Sequence, residues 1–262
     1  MSQFQEKTPI TRIERLTSDI FRLTLHSPEI ASTAKPGQFV MVRTGHGKDP
    51  LLRRPFSISQ TSNKQHFQIL FKVVGAGTEL LAHCREDETL SILGPLGQGF
   101  RLDCSGRNCL VGGGMGIAPL LFLAKSLVRK CPDAPPQVVL GARCREELEP
   151  LVDDFAKLGL VVHTATEDGS LGYHGLVTDV LKKMDLGADC NSYVCGPHPM
   201  MAAVHLFCKE RGYGCQVSME TSMACGMGAC LGCIVPMERG GYDHACSDGP
   251  VFNAEELVWQ VK

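Results

Sequence analysis

The chain has 262 residues, 44% hydrophobic and 21% charged, ordinary values for a globular protein long enough to bury a substantial core. A formal net charge of −2 excludes a polycationic face for nucleic acid or anionic lipid, and no run of about 18 uncharged apolar residues offers a helical membrane span. The N-terminal stretch MSQFQEKTPITRIERL has neither a basic region followed by an apolar one nor an Arg-rich amphipathic character, so the expected location is cytoplasmic.

Residues 20–27, 37–44, 56–61, 67–74 and 88–95 are short runs with β-branched or aromatic residues, separated by Pro, Gly or Asn turns at the spacing of a small antiparallel barrel. Within that unit only GTELLAHCRE, 77–86, reads as a helix. From about residue 107 the period changes. An apolar strand, a glycine turn and an amphipathic helix (NCLVGGGMGIAPLLFLAKSLVRK) lead to a strand at 137–143 and a helix at 146–159. A strand at 160–167, a helix at 175–184, a strand at 192–197 and a helix at 199–212 complete the series. Such alternation predicts a parallel sheet covered on both faces by helices. The expected division is therefore a barrel over 1–103, a Rossmann-like α/β lobe over 104–215 and a cysteine-bearing segment over 216–262.

Two turns of the predicted lobe bear on ligands. In LVGGGMGIAPL, Gly112, Gly114 and Gly116 lie between strand and helix, where missing side chains let backbone N–H groups approach a pyrophosphate. The turn departs from G-x-G-x-x-G, because Ile117 stands where the third glycine belongs, and a tight turn with no ligand is the alternative. Cys195, Gly196 and Pro197 end a later strand of the same sheet, so both turns should share the rim at the carboxyl ends of the strands. In the barrel, LLRRPFSIS puts Arg53 and Arg54 before an alternating strand, either as solvated charges or with Arg54 neutralising a pyrophosphate while Phe56 or Ser57 touches a planar ring. GAGTELL adds a second phosphate cradle, with Gly75 and Gly77 freeing the backbone and Thr78 opening a helix.

Thirteen cysteines in a chain of this kind are expected to stay reduced. Cys84, Cys104, Cys109, Cys131, Cys144, Cys190, Cys208 and Cys215 have no common spacing and read as small buried hydrophobes or idle thiols. Cys225, Cys230 and Cys233, in MACGMGACLGC, have the spacing C-x4-C-x2-C, and Cys246 follows. This is the ligand order of plant-type 2Fe-2S proteins, with a shorter final gap, and Gly226, Gly228 and Gly232 suit a loop that turns N–H groups toward sulfur. Structural zinc is the rival, but its ligands usually come in two C-x2-C-like pairs, and Cys246 has only His244 nearby. His163, His174, His198, His205 and His244 read as surface or turn residues, and no catalytic acid or base is expected.

R-P-F-S before a barrel strand, GPLGQGF at 94–100, G-G-G-M-G-I-A-P and C-G-P, in that order, resemble the ferredoxin-NADP reductase superfamily. With SMETSMACGMGACLGCIVP and CSDGPVF the chain is more specifically similar to the dihydroorotate dehydrogenase B electron-transfer subunits. The resemblance implies an FAD-binding antiparallel barrel, with Arg53, Arg54, Pro55, Phe56, Ser57, Leu70, Phe71, Lys72, Gly75, Gly77 and Thr78 toward FAD. It implies a nicotinamide lobe, with Gly112, Gly114, Gly116, Cys195, Gly196 and Pro197 toward NAD, and a 2Fe-2S cluster on Cys225, Cys230, Cys233 and Cys246. The implied partner is a separate FMN-containing catalytic subunit that oxidises dihydroorotate in pyrimidine synthesis, in a heterotetramer. FAD would convert between the hydride of the nicotinamide and the single electrons of the cluster. The alternatives are a stand-alone NAD(P)H-dependent ferredoxin reductase, a subunit feeding a hydrogenase or sulfide reductase, and a metal-bearing module without turnover. Intact R-P-F-S and C-G-P oppose the last. In GARCREEL, Arg143 or Arg145 would suit a 2′-phosphate, whereas Glu146 and Glu147 oppose it, and NAD is the expected nicotinamide.

Overall fold

The computed structural model describes residues 3–45 and 49–259. Six strands, β1 (Phe4–Arg15), β2 (Ile20–His26), β3 (Phe39–Arg43), β4 (Arg54–Ser62), β5 (His66–Lys72) and β6 (Thr89–Leu96), close into a barrel of order β1-β2-β5-β4-β3-β6. The inward-facing side chains of β2, Leu23 and Leu25, pack with Val40, Ile58, Phe67 and Ile92 in the barrel interior. Helix α1 (Pro28–Thr33) starts where Ser27 Oγ accepts from Ile30 N at 3.1 Å and Pro28 supplies a preset φ, and α2 (Ala76–Ala82) follows the Gly75 turn. The strand β1 was not expected: FQEKTPITRIER carries six charged or amide side chains and a proline, and it buries only Thr8 and Ile10. Closure of the barrel between β2 and β6 recruits it.

The lobe is a seven-stranded sheet that comprises β7 (Arg107–Gly113), β8 (Gln137–Ala142), β9 (Val162–Thr166), β10 (Tyr173–His174), β11 (Cys190–Cys195), β12 (Gly214–Ser218) and β15 (Val251–Asn253), in the order β10-β9-β8-β7-β11-β12-β15. All are parallel except β15, which returns from the C-terminal segment against β12. The expected division at 215/216 falls inside β12. Helices α3 (Ile117–Lys130), α4 (Arg145–Ala156), α5 (Val177–Leu181) and α6 (His198–Arg211) cover the sheet, and α6 stops at Gly212 in the left-handed conformation. Two strands, β13 (Ile234–Pro236) and β14 (Tyr242–His244), form a hairpin beyond the cysteine loop. Among the described residues no helix is long and apolar enough to cross a membrane.

Barrel and lobe are joined by side chains that sequence alone did not pair. Phe122 of α3 is buried with the barrel core, Arg22 of β2 pairs with Asp154 of α4 where both are nearly buried, and Lys72 of β5 lies 2.7 Å from Glu147 of α4. Cys104, in the connection between the units, forms a disulfide with Cys131 at the end of α3, against the expectation of idle, reduced thiols. His205 is also corrected: it is 7% exposed and stacked on Trp259 at 5.5 Å, a buried group rather than a surface one.

Candidate functional site

The switch point of the sheet lies between β7 and β11, where the chain has run outward through β8 and β9 and then crossed back. Cys195 is in register with Gly112 on one side and Ser218 on the other, so the carboxyl ends of β7, β11 and β12 form one rim. A Cβ on Gly116 would lie 2.5 Å from the backbone of Cys195 and Gly196, and one on Gly113 would lie 2.4 Å from Met200 Sδ. The two turns foreseen on one rim therefore interlock.

Two cavities open on this rim. The first, about 560 Å³, lies between the barrel and the lobe, and it brings together Arg54, Pro55, Phe56, Ser57, Leu70, Phe71, Lys72, Gly75, Gly77 and Thr78. Phe56 and Phe71 stand 5.8 Å apart at its apolar side. At its other end Thr78 Oγ donates to Gly75 O at 2.9 Å and accepts from Val74 N at 2.9 Å, which fixes the Gly75 turn. Arg54 lies over that turn, its Nε 3.2 Å from where a Gly77 Cβ would be, so glycine there makes room for the guanidinium. Thr44 Oγ, buried and without a hydrogen-bond partner among the described residues, meets the same position at 3.2 Å. Arg53 departs from expectation. Its guanidinium turns away from the cavity to Ser91, donating to the carbonyl oxygen at 2.5 Å and to the hydroxyl at 2.9 Å, and it ties β6 rather than facing a ligand. Burial and then the neighbouring Arg43 lower its pKa.

The second cavity, about 500 Å³, lies over the ends of β7, β8 and β9 and shares Lys72 and Met115 with the first. Gly114 and Pro197 line it; Gly112, Gly116 and Gly196 do not. Gly114 has φ +52° and open space where a side chain would go, whereas a Cβ on Gly112 would strike Ile117, Leu120 and Leu140 within 3.0 Å. Of the three glycines expected toward NAD, Gly114 opens on this cavity together with its neighbour Gly113, whereas Gly112 and Gly116 permit close packing. Cys195, expected at the nicotinamide, instead lines the first cavity; its thiol, held neutral by burial that pushes its pKa well up, donates to Ser218 O at 3.6 Å.

The first cavity has a wall that sequence reasoning missed: Ser218, Met219, Glu220, Thr221 and Met223, between β12 and the cysteine loop. Glu220 lines the cavity and is exposed there, and desolvation by the surrounding protein raises its pKa. The polar SMETSM interrupting an apolar strand and a cysteine loop was the available signal.

The cysteine loop follows two residues after Met223. Cys233 and Cys246 are each 2% exposed, Cys225 is half-buried and Cys230 exposed. Three successive amides point at sulfur: Met227 N and Ala229 N donate to Cys225 Sγ at 3.4 Å, and Gly228 N donates to Cys246 Sγ at 3.0 Å. Gly226 and Gly228 reach this geometry with φ of +73° and +77°. Although burial opposes it, the amide donors from Met227 and Ala229 and the neighbouring Cys230 bring the Cys225 pKa down to about 6; burial first, then Cys233, pushes that of Cys246 up to about 12. Gly226 seats the loop on the barrel, where a Cβ would lie 2.6 Å from Met41. Met227, Leu231 and Ile234 are 56%, 53% and 46% exposed, and Tyr242 joins them at 52%. Met223 does not belong with them, being partly buried against the core.

Family models match three segments of the chain: an oxidoreductase FAD-binding domain over 7–100, an oxidoreductase NAD-binding domain over 110–206, and the iron-sulfur cluster binding domain of dihydroorotate dehydrogenase B over 220–258. The electron transfer subunit of dihydroorotate dehydrogenase B (NAD(+)) from Desulforamulus reducens is 39% identical over 259 residues, covering 96% of this chain and 97% of its own. That from Caldanaerobacter subterraneus is 40% identical over 261 residues, covering 98% and 100%. The chain belongs to this family of electron transfer subunits. Among solved structures, that of an NADH-dependent reduced ferredoxin-NADP oxidoreductase superposes with a TM-score of 0.84 at 34% identity, covering 97% of this chain and 90% of the other. This family member is thus an oxidoreductase with FAD, NAD and an iron-sulfur cluster as cofactors.

The residues present fit those groups. The first cavity offers aromatic rings at one side and a glycine turn under a guanidinium at the other, which suits a flavin dinucleotide. Among the described residues no three His, Cys, Asp or Glu side chains converge as on a single metal ion. The fit of the loop to a cluster rests on its four thiols and on amides already aimed at two of the sulfurs.

Proposed function

We propose that the chain is the electron-transfer subunit of an NAD-linked dihydroorotate dehydrogenase, passing electrons from an FMN-containing subunit that oxidises dihydroorotate to NAD in cytoplasmic pyrimidine biosynthesis. The observation that carries this reading is continuity: the two cavities meet at Lys72 and Met115, and Thr221 and Met223 lead from the wall of the first into the cysteine loop. When bound, FAD exchanges a hydride with the nicotinamide and single electrons with the cluster.

The chain's own residues have binding and shielding roles. Arg54 supplies positive charge for the FAD pyrophosphate, the backbone of Gly75, Ala76 and Gly77 approaches it, and Thr78 keeps that turn in shape. Phe56, Leu70 and Phe71 receive the ring system, and Ser57 offers a hydroxyl beside it. Gly114 and Pro197 leave room for the nicotinamide nucleotide, while the neutral Cys195 thiol and Ser218 close the space between the two cofactors. Cys225, Cys230, Cys233 and Cys246 ligate a 2Fe-2S cluster, and the amides of Met227, Gly228 and Ala229 stabilise its sulfur-borne negative charge. The exposed apolar residues Met227, Leu231, Ile234 and Tyr242 form the face toward the catalytic subunit, in a heterotetramer.

A second reading, favoured by the likeness to the NADH-dependent ferredoxin-NADP oxidoreductase structure, has the cluster serve a ferredoxin-linked partner. Reconstitution separates the two. The purified chain is combined with a dihydroorotate-oxidising FMN subunit, and NADH formation is followed on adding dihydroorotate and NAD. Orotate-linked NADH formation that requires the chain supports the first reading. Absence of that flux, with rapid ferredoxin reduction by NADH, overturns it in favour of the second.

A further inference from the structure

We propose that Glu147 is the residue that makes the second cavity select NAD over NADP, by claiming Arg143; this rests on the reading of that cavity as the nicotinamide nucleotide site. The cavity has four charged side chains, Lys72, Arg143, Glu147 and Glu167. Both cations are held by the same carboxylate. Lys72 Nζ lies 2.7 Å from Glu147 Oε1; Arg143 Nη2 donates to that same oxygen, and Arg143 Nε donates to Oε2 at 3.4 Å. Asp19 adds a second partner for Lys72 at 3.2 Å.

The position matters because of the fold. Arg143 directly follows β8, the strand beside β7 at the switch point, and Glu167 directly follows β9, the next strand out, at the carboxyl ends where an adenosine ribose is bound in sheets of this type. A 2′-phosphate entering there needs an unclaimed guanidinium. Arg143 is 69% exposed and would serve, but Glu147, only 18% exposed and anchored from behind by Lys72 of the barrel, holds it in a two-point contact. Glu167 lines the same cavity, so a second carboxylate there also opposes a 2′-phosphate by its charge. The other candidate cation, Arg145, is outside the cavity, bonded to Glu149 at 3.0 Å and to the Ser170 carbonyl oxygen at 3.0 Å. Glu146, which the sequence places beside Glu147, does not line the cavity. Glu147 acts through Arg143 and is a positioning residue.

The test uses the FAD-loaded, cluster-loaded chain, with NADH and NADPH oxidation followed against ferricyanide and the binding of ADP and 2′,5′-ADP measured by calorimetry. In Glu147→Gln, the NADPH-to-NADH ratio of kcat/KM is expected to rise about tenfold, the scale of one added charge-assisted hydrogen bond. The rise should come from a lower KM for NADPH with kcat retained, and 2′,5′-ADP should gain affinity by a similar factor while ADP does not. Adding Arg143→Ala to Glu147→Gln should remove both gains, and Arg143→Ala alone should leave the nicotinamide ratio at its original value. A folded, FAD-replete Glu147→Gln with unchanged ratio and unchanged 2′,5′-ADP affinity overturns the proposal, as does a gain that survives loss of Arg143. If Glu147→Gln does not fold, a fall of NADPH activity in Arg143→Ala alone overturns it, because Arg143 would then already be serving the 2′-phosphate. Failure of the original chain to bind either ADP or 2′,5′-ADP has a different meaning: it overturns the reading of the cavity.

Discussion

Replacing Gly116 by alanine tests the interlock of the two rim turns. The new Cβ would lie 2.5 Å from the carbonyl carbon and oxygen of Cys195 and from the amide nitrogen of Gly196. All three are backbone atoms, so no side chain can swing aside, and the turns must part by roughly 0.9 Å to reach ordinary contact. Overpacking of this kind costs about 1–3 kcal/mol. At about 2–4 °C per kcal/mol for a chain near this size, Tm should fall by roughly 2–12 °C. Spreading the rim also displaces Cys195 and Pro197, so KM for NADH should rise, while the FAD content, set mainly by the barrel, should hold. Thermal unfolding followed by circular dichroism, extraction of FAD and steady-state NADH oxidation measure the three effects. Gly114→Ala is the companion: its backbone is left-handed but open space surrounds it, so it should cost only about 1–2 kcal/mol and act chiefly on NADH binding. A Gly116→Ala protein melting within about 1 °C of the original would refute the interlock.

Arg54→Ala should weaken FAD binding by about 1.5–3 kcal/mol, a roughly 10- to 150-fold loss of affinity read by flavin fluorescence, and unchanged affinity would remove Arg54 from the pyrophosphate. Arg53→Ala should leave FAD affinity within about twofold but lower Tm, since it cuts charged hydrogen bonds to Ser91 worth about 1.5–3 kcal/mol; a large FAD loss would show that it faces the cofactor after all. Cys230→Ser should lose or strongly destabilise the cluster, with iron and acid-labile sulfide falling well below about two each per chain, because a hydroxyl is a poorer ligand than thiolate. Full iron and sulfide content in that variant would overturn the ligand assignment. Met227→Glu should leave iron content and NADH-driven dye reduction intact while impairing assembly with the FMN subunit, since burying an unpaired carboxylate is costly; normal assembly on size-exclusion chromatography would overturn the proposed face.

The sequence was most legible where one residue's chemistry speaks for itself. Four cysteines spaced for a cluster lie within the matched iron-sulfur segment, and the R-P-F-S and G-A-G-T stretches both lie on the first cavity. Five barrel strands and four lobe helices were readable because their apolar periods are strong. The strand β1 was not, because a strand with one buried hydrophobic residue has little period to read. Arg53 and Arg54 are adjacent and chemically alike, yet Arg53, just before β4, turns to Ser91 while Arg54, the first residue of β4, lies over Gly77.

What the sequence by itself determined is the set of local units: a barrel, an alternating α/β lobe and a cysteine loop, each following from short-range pattern and spacing. Tertiary structure alone decided how the units share work. It set Cys195 on the first cavity, packed Gly112 and Gly116 against their neighbours while Gly114 opens on the second, and made Ser218, Met219, Glu220, Thr221 and Met223 a wall of the first. It also set Glu147 of the lobe between Lys72 of the barrel and Arg143. The physical reason is that periodicity reports which face of an element is buried, but not against what. Partners separated by 75 residues, such as Lys72 and Glu147, meet only when the barrel packs on the lobe and burial brings opposite charges within reach of each other.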